Sequence, residues 1–183
     1  NGRRTYFING INNNNPKGPP DYAESFSGKL MSLGVKDVRP IGIYNVKTVD
    51  FWGAVKGIAQ VALEMFNINV YTSKVVQRIK NDLKKKRLAK GEQLNIIGYS
   101  GGGQVALNVM EKLPGQITNV VLIGTPVMEI SRTKTRISMI YAGWDLLSWN
   151  FGFGYTSYFA GWIGHLDYFN KNNIDKIAKI VKG

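Results

Sequence analysis

The strongest constraint on the fold is a short segment that begins like a buried strand and ends like an amphipathic helix. Residues 94–110 read LNIIGYSGGGQVALNVM. The first four residues form a short apolar run with β-branched side chains, which is typical of a buried parallel strand. The later apolar residues recur at helical spacing and share one face, namely Val105, Ala106, Val109, Met110 and Leu113. Between strand and helix, GYSGG at residues 98–102 matches the G-x-S-x-G pattern of a nucleophile elbow.

The glycines of this pattern have a steric purpose. A strand that turns directly into a helix holds Ser100 in a strained backbone conformation, and Gly98 and Gly102 remove the Cβ atoms that would clash there. The free N–H groups of the helix start favour a developing negative charge at the same place. The alternative is a phosphate-binding turn, but neither the Walker pattern nor G-x-G-x-x-G is present. We therefore interpret Ser100 as a nucleophile.

Composition narrows the class of protein. The length of 183 residues fits one domain, which we place at residues 1–183, and the apolar content of 44% is ordinary for a globular protein. With no cysteine and a single histidine, neither a disulfide framework nor a zinc site is expected. We predict no cofactor and no metal. The chain begins at Asn1 rather than methionine, which indicates a processed product or a piece of a longer chain.

The net charge of +12 suggests attraction to anionic surfaces such as phospholipid or nucleic acid. The densest basic run, residues 80–90, fits the solvated face of a helix whose buried side carries Val76, Ile79 and Leu83. The run contains no interleaved aromatic residues of the kind that bind single-stranded nucleic acid, so we predict no nucleic-acid partner. An anionic membrane surface remains a candidate partner, and we expect a monomer.

The remaining elements alternate between strands and helices. Strands are predicted at residues 5–8, 38–43, 120–123 and 137–141, with Pro40 favouring an edge position for the second. Helices are predicted at 21–33, 72–89 and around residues 174–181. Residues 51–66 also have helical spacing, as a packed helix or as a mobile apolar cover or interfacial anchor beside the site. The pattern predicts an α/β fold with three layers, a mostly parallel sheet and helices on both faces.

A serine nucleophile needs a base, and His165 is the only histidine in the chain. The third member of a triad must orient the imidazole, and Asp145 follows the strand at 137–141 directly. Asp167 and Glu129 remain alternatives for the acid. The order Ser100, Asp145, His165 is that of α/β-hydrolases.

An oxyanion hole needs two N–H donors. One is expected from Gly101, the residue after the nucleophile, and the other from the loop that follows the first strand. Asn9-Gly10-Ile11 lies in that loop, and we predict the backbone N–H of Ile11 as the second donor.

These motifs together resemble the compact secreted bacterial lipases of the α/β-hydrolase superfamily, along nearly the whole chain. Those lipases carry His-Gly-Ile where this chain has Asn9-Gly10-Ile11, and a small-x-Ser-x-Gly elbow where it has residues 98–102. The turns Gly143-Trp144-Asp145 and Gly164-His165-Leu166 fall where their acid and base lie, and Gly124-Thr125-Pro126 resembles a segment of larger lipases. The resemblance implies hydrolysis of carboxylic esters of lipids through an acyl-enzyme on Ser100. Asn9 is the departure from the pattern.

Residues 146–164 contain no charged residue and seven aromatic ones. This stretch is interpreted as an acyl pocket, as a lip that dips into a membrane interface, or as core packing. With the positive charge it favours a phospholipid or another anionic amphiphile as substrate. The residues expected to contact substrate are Asn9, Tyr99, Trp144 and Trp149.

Two other functions stay open at this stage. The chain could be a lipase-type toxin or effector domain of a larger bacterial protein that acts on target membranes. It could also be a hydrolase fold that binds a ligand without catalysis. We expect a protein that is secreted or delivered outside the producing cell, and we find no transmembrane segment in the sequence.

Overall fold

A computed structural model describes residues 3–9, 22–41, 58–125, 130, 133–145, 148, 154–164 and 168–183, with the backbone alone at 22–23 and 58–68. The strands are β1 (Arg3–Ile8), β2 (Val38–Ile41), β3 (Gln93–Tyr99), β4 (Ile117–Ile123), β5 (Arg136–Tyr141) and β6 (Thr156–Phe159). The helices within these ranges are α1 (Tyr22–Ser32), α2 (Ile58–Lys85), α3 (Gly101–Lys112) and α4 (Lys171–Lys182).

The six strands form one sheet in the order β2-β1-β3-β4-β5-β6, and every neighbouring pair is parallel. Pro40 lies in β2 at the edge of the sheet, as the sequence predicts. The strand order reverses between β1 and β3, because β2 lies on one side of β1 and the later strands follow on the other. In open α/β sheets, ligands bind at the carboxyl ends of the strands at such a reversal. Asn9 and Ser100 follow these two strands.

Two apolar clusters cover the two faces of the sheet, which confirms the three-layer prediction. One contains residues of α2 and α3, with the predicted helical face Val105, Ala106, Val109, Met110 and Leu113 buried against the sheet. The other contains residues of α1 and α4, with Ile174, Ile177, Ala178 and Val181 buried. Successive strand residues alternate between the clusters, so Ile96 faces one and Ile97 the other. No helix in the described ranges is both long and apolar enough to cross a membrane.

The secondary structure differs from the sequence predictions in two places. The first difference is β6, a strand within the aromatic stretch 146–164 that the sequence pattern does not predict. Thr156 and Ser157 of β6 are exposed, and an edge strand with little burial carries no apolar alternation to reveal it. The second is that the helices proposed around 51–66 and 72–89 are one helix from Ile58 to Lys85, because no glycine or proline interrupts that range. Residues 51–57 lie outside the described part of the chain.

A buried cation lies where the strands begin, a side of the sheet that we call the amino edge. The side chain of Arg4 is 0% exposed, and its guanidinium donates to the carbonyl oxygen of Lys86 at 2.7 Å, just after the end of α2. Three carboxylates lie around it, at 3.7 Å for Asp37, 3.7 Å for Asp82 and 3.5 Å for Glu92. A buried charge needs such partners, so the guanidinium of Arg4 and the three carboxylates stabilise one another at this edge.

Candidate active site

Ser100 joins β3 to α3 in a strained conformation. Its φ of 54° and ψ of −125° lie where L-residues are rarely found. The backbone N–H of Ser100 donates to the carbonyl oxygen of Ile123 at 2.8 Å, which fixes the turn to the end of β4. The residue is half-buried where the strands end, a side of the sheet that we call the carboxyl edge. The structure therefore places Ser100 on a sharp strand-to-helix turn, which is the arrangement that the G-x-S-x-G pattern predicts.

Three glycines around Ser100 are required by close backbone packing. A Cβ at Gly98 would lie 2.5 Å from the carbonyl oxygen of Gly102, and one at Gly102 would lie 2.4 Å from that of Asn9. A Cβ at Gly103 would lie 1.9 Å from the hydroxyl of Thr125. These distances are too short for any side chain, so the strand, the helix and the next loop can meet only where glycine stands.

Thr125 is a site residue whose role sequence reasoning missed. It follows β4, is 0% exposed, and its hydroxyl donates to the carbonyl oxygen of Ser100 at 3.0 Å. This bond ties the turn at Ser100 to the neighbouring strand end. The third glycine of the GGG run and the Gly124-Thr125-Pro126 segment were visible in the sequence. Only the structure shows that Gly103 and Thr125 pack against each other.

The start of α3 and the end of β1 lie side by side at the carboxyl edge of the sheet. Gly101 is the first residue of α3, where backbone N–H groups have no acceptor within the helix and carry partial positive charge. Asn9 is 2% exposed, and its carbonyl oxygen packs directly against Gly102. The structure thus brings Asn9 and the helix start together. Ile11, the predicted second donor, lies outside the described residues.

Asp145 is the buried carboxylate of the site. It follows β5 and is 2% exposed. The hydroxyl of Tyr168 donates to Asp145 Oδ2 at 2.6 Å. The backbone N–H and the hydroxyl of Ser148 both donate to the carbonyl oxygen of Asp145, at 3.0 Å and 2.8 Å. The backbone N–H of Ala142 in turn donates to the Ser148 hydroxyl at 3.1 Å. The carboxyl group and its backbone are therefore both fixed by hydrogen bonds.

Tyr168 is a further residue that sequence reasoning did not identify. It is 0% exposed, and burial, followed by its hydrogen bond to Asp145, raises the pKa of its phenol well above the ordinary value. It therefore keeps its proton and remains a donor at any physiological pH. Its position three residues after His165 was the only sequence signal, and a tyrosine at that spacing is not specific.

His165, and the alternative acids Asp167 and Glu129, lie outside the described residues. The described residues on both sides of the 165–167 segment contact the turn that carries Asp145. On one side, Trp144 donates its backbone N–H to the carbonyl oxygen of Ile163 at 3.2 Å. On the other side stands Tyr168, bonded to Asp145.

The strand spacing sets the scale of the site. Ser100 follows β3 and Asp145 follows β5, with β4 between them. Neighbouring strands lie about 4.8 Å apart, so the two strand ends are roughly 10 Å apart, a gap that one imidazole can bridge by hydrogen bonds at both nitrogens.

The other predicted substrate contacts have different environments. The side chain of Tyr99 is 5% exposed and packs in the core, with its ring centroid 4.9 Å from that of Phe169. Trp144 is 71% exposed and lies beside Asp145 in the chain. Trp149 lies outside the described residues. Within the described ranges, no group of three histidine, cysteine or carboxylate side chains is placed to hold a metal ion.

Comparison with known proteins identifies the fold. No protein-family model and no curated protein matches the sequence. Solved structures do match. A YdeN-like hydrolase from Pectobacterium atrosepticum has a TM-score of 0.57 at 12% identity, over 99% of this chain and 91% of that one. A cutinase-like protein from Cryptococcus sp. has a TM-score of 0.52 at 13% identity, over 99% and 93%.

A third solved structure, an N-formylmaleamic acid deformylase from Pseudomonas putida S16, has a TM-score of 0.55 at 10% identity, over 98% of this chain and 92% of that one. At such identities the likeness is one of fold. The matches cover at least 98% of this chain and at least 91% of each of these three structures. This chain therefore has the α/β-hydrolase fold, as the sequence motifs predict.

Proposed function

We propose that this protein is a serine hydrolase that cleaves carboxylic esters of lipids through an acyl-enzyme on Ser100. The observation that carries the proposal is the backbone of Ser100, held at a φ of 54° between glycines that admit no side chain. Strain of this kind costs about 1–3 kcal/mol and persists where function requires it. A turn that merely connected a strand to a helix would need neither the strain nor a serine.

The proposed reaction uses the triad Ser100, Asp145 and His165. The hydroxyl oxygen of Ser100 attacks the ester carbonyl carbon while His165 accepts the hydroxyl proton. The C–O bond to the alcohol then breaks, and His165 returns the proton to the departing alkoxide. Water, deprotonated by the same imidazole, attacks the acyl-enzyme and releases the carboxylic acid and Ser100.

Asp145 is proposed to orient the imidazole and to stabilise its charged form. The hydrogen bond from Tyr168 to Oδ2 holds the carboxyl group of Asp145 in position, which is what orienting the imidazole requires. The N–H groups of Gly101 and Ile11 are proposed to bind the oxyanion, which develops beside the start of α3.

Lipid esters are favoured over soluble ones by charge and by exposed aromatic surface. The net charge of +12 attracts anionic amphiphiles, and the exposed indole of Trp144 stands next to Asp145 in the chain. Both features would serve a substrate with an acyl chain and an acidic head group, such as a phospholipid.

Turnover of p-nitrophenyl butyrate by the whole chain tests the proposal. Ser100→Ala should lower kcat/KM by a factor on the order of 10⁴ to 10⁶, because the nucleophile is lost and only binding and oxyanion stabilisation remain. Ser73→Ala is the matched control, since it removes an exposed hydroxyl on α2 that bonds only to its own helix. A fluorophosphonate probe should label the protein once and fail to label Ser100→Ala. Undiminished turnover by Ser100→Ala would contradict the proposal.

A substrate panel tests the preference for esters separately from the identity of the nucleophile. The panel contains p-nitrophenyl esters, the p-nitroanilide of the same acyl group, and phosphatidylglycerol. Faster cleavage of the anilide than of the ester, with Ser100 still labelled, would make the protein a serine amidase instead. Cleavage of phosphatidylglycerol with release of fatty acid supports the lipid assignment, and cleavage of short soluble esters alone would contradict it.

A further inference from the structure

Four aromatic side chains form a continuous ridge beside the proposed active site. The ring centroids of Tyr141 and Phe159 are 5.4 Å apart, those of Phe159 and Trp162 are 5.7 Å apart, and those of Trp162 and Trp144 are 5.7 Å apart. We call these four residues the aromatic ridge. Tyr141 and Phe159 are opposite each other on β5 and β6, while the two tryptophans follow the carboxyl ends of these strands.

Most of the ridge is open to solvent. Trp144 is 71% exposed, Trp162 is 70% exposed and Phe159 is 41% exposed. Five large apolar side chains in the described ranges are exposed, and these three are the ones that contact one another. The other two, Met31 on α1 and Val70 on α2, lie on separate helices. Clustered exposed apolar surface of this kind marks an interaction site, whereas scattered residues do not.

The ridge is also held in place. A Cβ at Gly143 would lie 2.2 Å from the indole ring of Trp162, so this ring packs directly on the backbone of the turn that leads to Asp145. Gly143 donates its N–H to the carbonyl oxygen of Gly161 at 2.9 Å, and Trp144 donates to that of Ile163. These bonds join the two loops that carry the tryptophans. The exposed rings are thus presented on a fixed support at the active-site edge of the sheet.

Positive charge borders the ridge. The ammonium group of Lys176 donates to the carbonyl oxygen of Phe159 at 2.6 Å, which places a cation of α4 at the ridge. The other end of α4 lies away from the ridge, where Arg3 at the start of β1 donates to the carbonyl oxygen of Val181 at 2.5 Å. An exposed pair of indoles next to a lysine suits the boundary of an anionic bilayer, where indole rings occupy the headgroup level and a lysine meets the lipid charge. A neutral partner such as a carbohydrate would make no use of that charge.

We propose that the aromatic ridge is the surface by which this protein docks on an anionic phospholipid bilayer, with Trp144 and Trp162 inserted at the headgroup level and Lys176 against the lipid phosphates. The surface would bring Asp145 and the rest of the site to the bilayer, so its functional meaning rests on the proposed lipid hydrolysis. Binding itself does not require turnover and is tested without it.

The test uses the Ser100→Ala protein and vesicles of phosphatidylcholine with or without phosphatidylglycerol. Cosedimentation should show binding to the anionic vesicles that weakens with added salt. Phe159→Ser with Trp162→Ser should lower the partition coefficient by roughly tenfold or more, because each of these exposed rings contributes the free energy of its transfer from water to the bilayer. Met31→Ser with Val70→Ser is the matched control, as it removes two exposed apolar side chains elsewhere and should leave binding unchanged. Circular dichroism and thermal melting establish that each variant is folded.

A second measurement detects contact with lipid in the protein whose ridge is unchanged. Brominated phosphatidylcholine in the anionic vesicles should quench tryptophan fluorescence, and most of that quenching should disappear in Trp144→Phe with Trp162→Phe, which retains aromatic rings there.

Several outcomes would overturn the docking proposal. Equal binding by the ridge variant and the control would do so, as would equal binding to neutral and anionic vesicles. Retention on a soluble glucan that depends on the ridge, without vesicle binding, would make the ridge a carbohydrate platform. Failure of the two proposals is distinguishable, since vesicle binding by Ser100→Ala with no esterase activity in the wild type removes only the enzyme function. Esterase activity without ridge-dependent binding removes only the docking surface.

Discussion

Among the described residues, the amino ends and the carboxyl ends of the strands each hold one non-glycine residue with a positive φ, and the surroundings of these two residues differ. Asp37, at the amino edge, has a φ of 56°, and Ser100, at the carboxyl edge, has a φ of 54°. Asp37 compensates by pairing with the cations Arg39 and Lys86. Ser100 lies among glycines, and its carbonyl oxygen accepts a hydrogen bond from Thr125. A positive φ thus stands within a network of charges at one edge and beside the proposed nucleophile at the other.

The electrostatics of the amino edge are those of a structural network. Arg39 and, to a smaller extent, Lys86 hold the pKa of Asp37 below its ordinary value, although burial opposes the shift. Asp37 in turn raises the pKa of Arg39. Burial, aided by a hydrogen bond to Asp82, raises the pKa of Tyr6 from 10.0 to about 12. Each group is held in the protonation state it has at neutral pH, which favours the folded protein there.

The largest expected effect is the loss of Arg4 from the amino edge. Arg4→Met should lower the free energy of unfolding by about 3–5 kcal/mol, because three carboxylates lose their central cation and the end of α2 loses a donor. Activity per folded molecule should be unchanged, since the site lies at the opposite edge. Urea unfolding with ester turnover measures both.

The matched control for Arg4→Met is Lys36→Met, an equal change of charge at an exposed position. It should alter the free energy of unfolding by less than about 0.5 kcal/mol. Equal destabilisation by the two substitutions would show that the network around Arg4 contributes nothing specific.

A smaller effect on activity is expected when the hydrogen bond from Tyr168 to Asp145 is removed. Tyr168→Phe should lower kcat/KM roughly tenfold, because a hydrogen bond to a charged group of about 1.5–3 kcal/mol no longer fixes Asp145. Without that bond, the negative charge of Asp145 stabilises the imidazolium of His165 more strongly. The acidic limb of the pH–rate profile should therefore move to higher pH.

Tyr158→Phe removes a hydroxyl from β6 and serves as the control for Tyr168→Phe. It should change neither kcat/KM nor the pH–rate profile. A lower rate in Tyr168→Phe with an unshifted profile would mean that Tyr168 acts only through packing.

The two strained residues can be compared directly by replacing each with glycine. Ser100→Gly should raise the free energy of unfolding by about 1 kcal/mol, because relief of strain exceeds the entropic cost of glycine, and it should abolish activity. Asp37→Gly relieves the same φ but removes the ion pairs, so it should destabilise the protein and spare the activity. Thermal melts and turnover of the two variants measure the contrast. Stabilisation by both substitutions would refute the structural role assigned to Asp37.

The smallest effects concern pH. The pKa of Asp37 is lowered on folding, so its contribution to stability is present above its ordinary pKa of 3.8 and is lost as the pH falls. The pKa of Tyr6 is raised, so its contribution is present below pH 10 and is lost as the pH rises to about 12. Urea unfolding at about pH 3, 7 and 11 should show a maximum near neutrality.

Tyr6→Phe should flatten the alkaline side of this dependence and leave the acid side unaltered, whereas Tyr158→Phe should change neither. An alkaline loss of stability that persists in Tyr6→Phe would assign the titration to another group.

Sequence patterns predicted those parts of the molecule whose cause is local. The helical face of α3 and that of α4, the edge position of β2 and the glycine-flanked turn at Ser100 each follow from periodicity or from backbone restrictions within a few residues. Proline in β2 and glycine at residues 98 and 102 act through their own backbone, so their effect is visible in the sequence. The assignments of Ile11, Trp149 and His165 stay predictions, as these residues lie outside the described ranges.

Contacts between distant segments were decided by the tertiary structure. The strand β6 forms because β5 offers it a backbone ladder, and its own residues carry little signal. Gly103 is required because Thr125 lies against it, and Tyr168 reaches Asp145 from 23 positions away. The aromatic ridge likewise unites two loops and two strands. The sequence alone determined the glycine-flanked turn at Ser100, since backbone sterics act between neighbours. The partners of that turn depend on which strand ends meet, which only the packed sheet establishes.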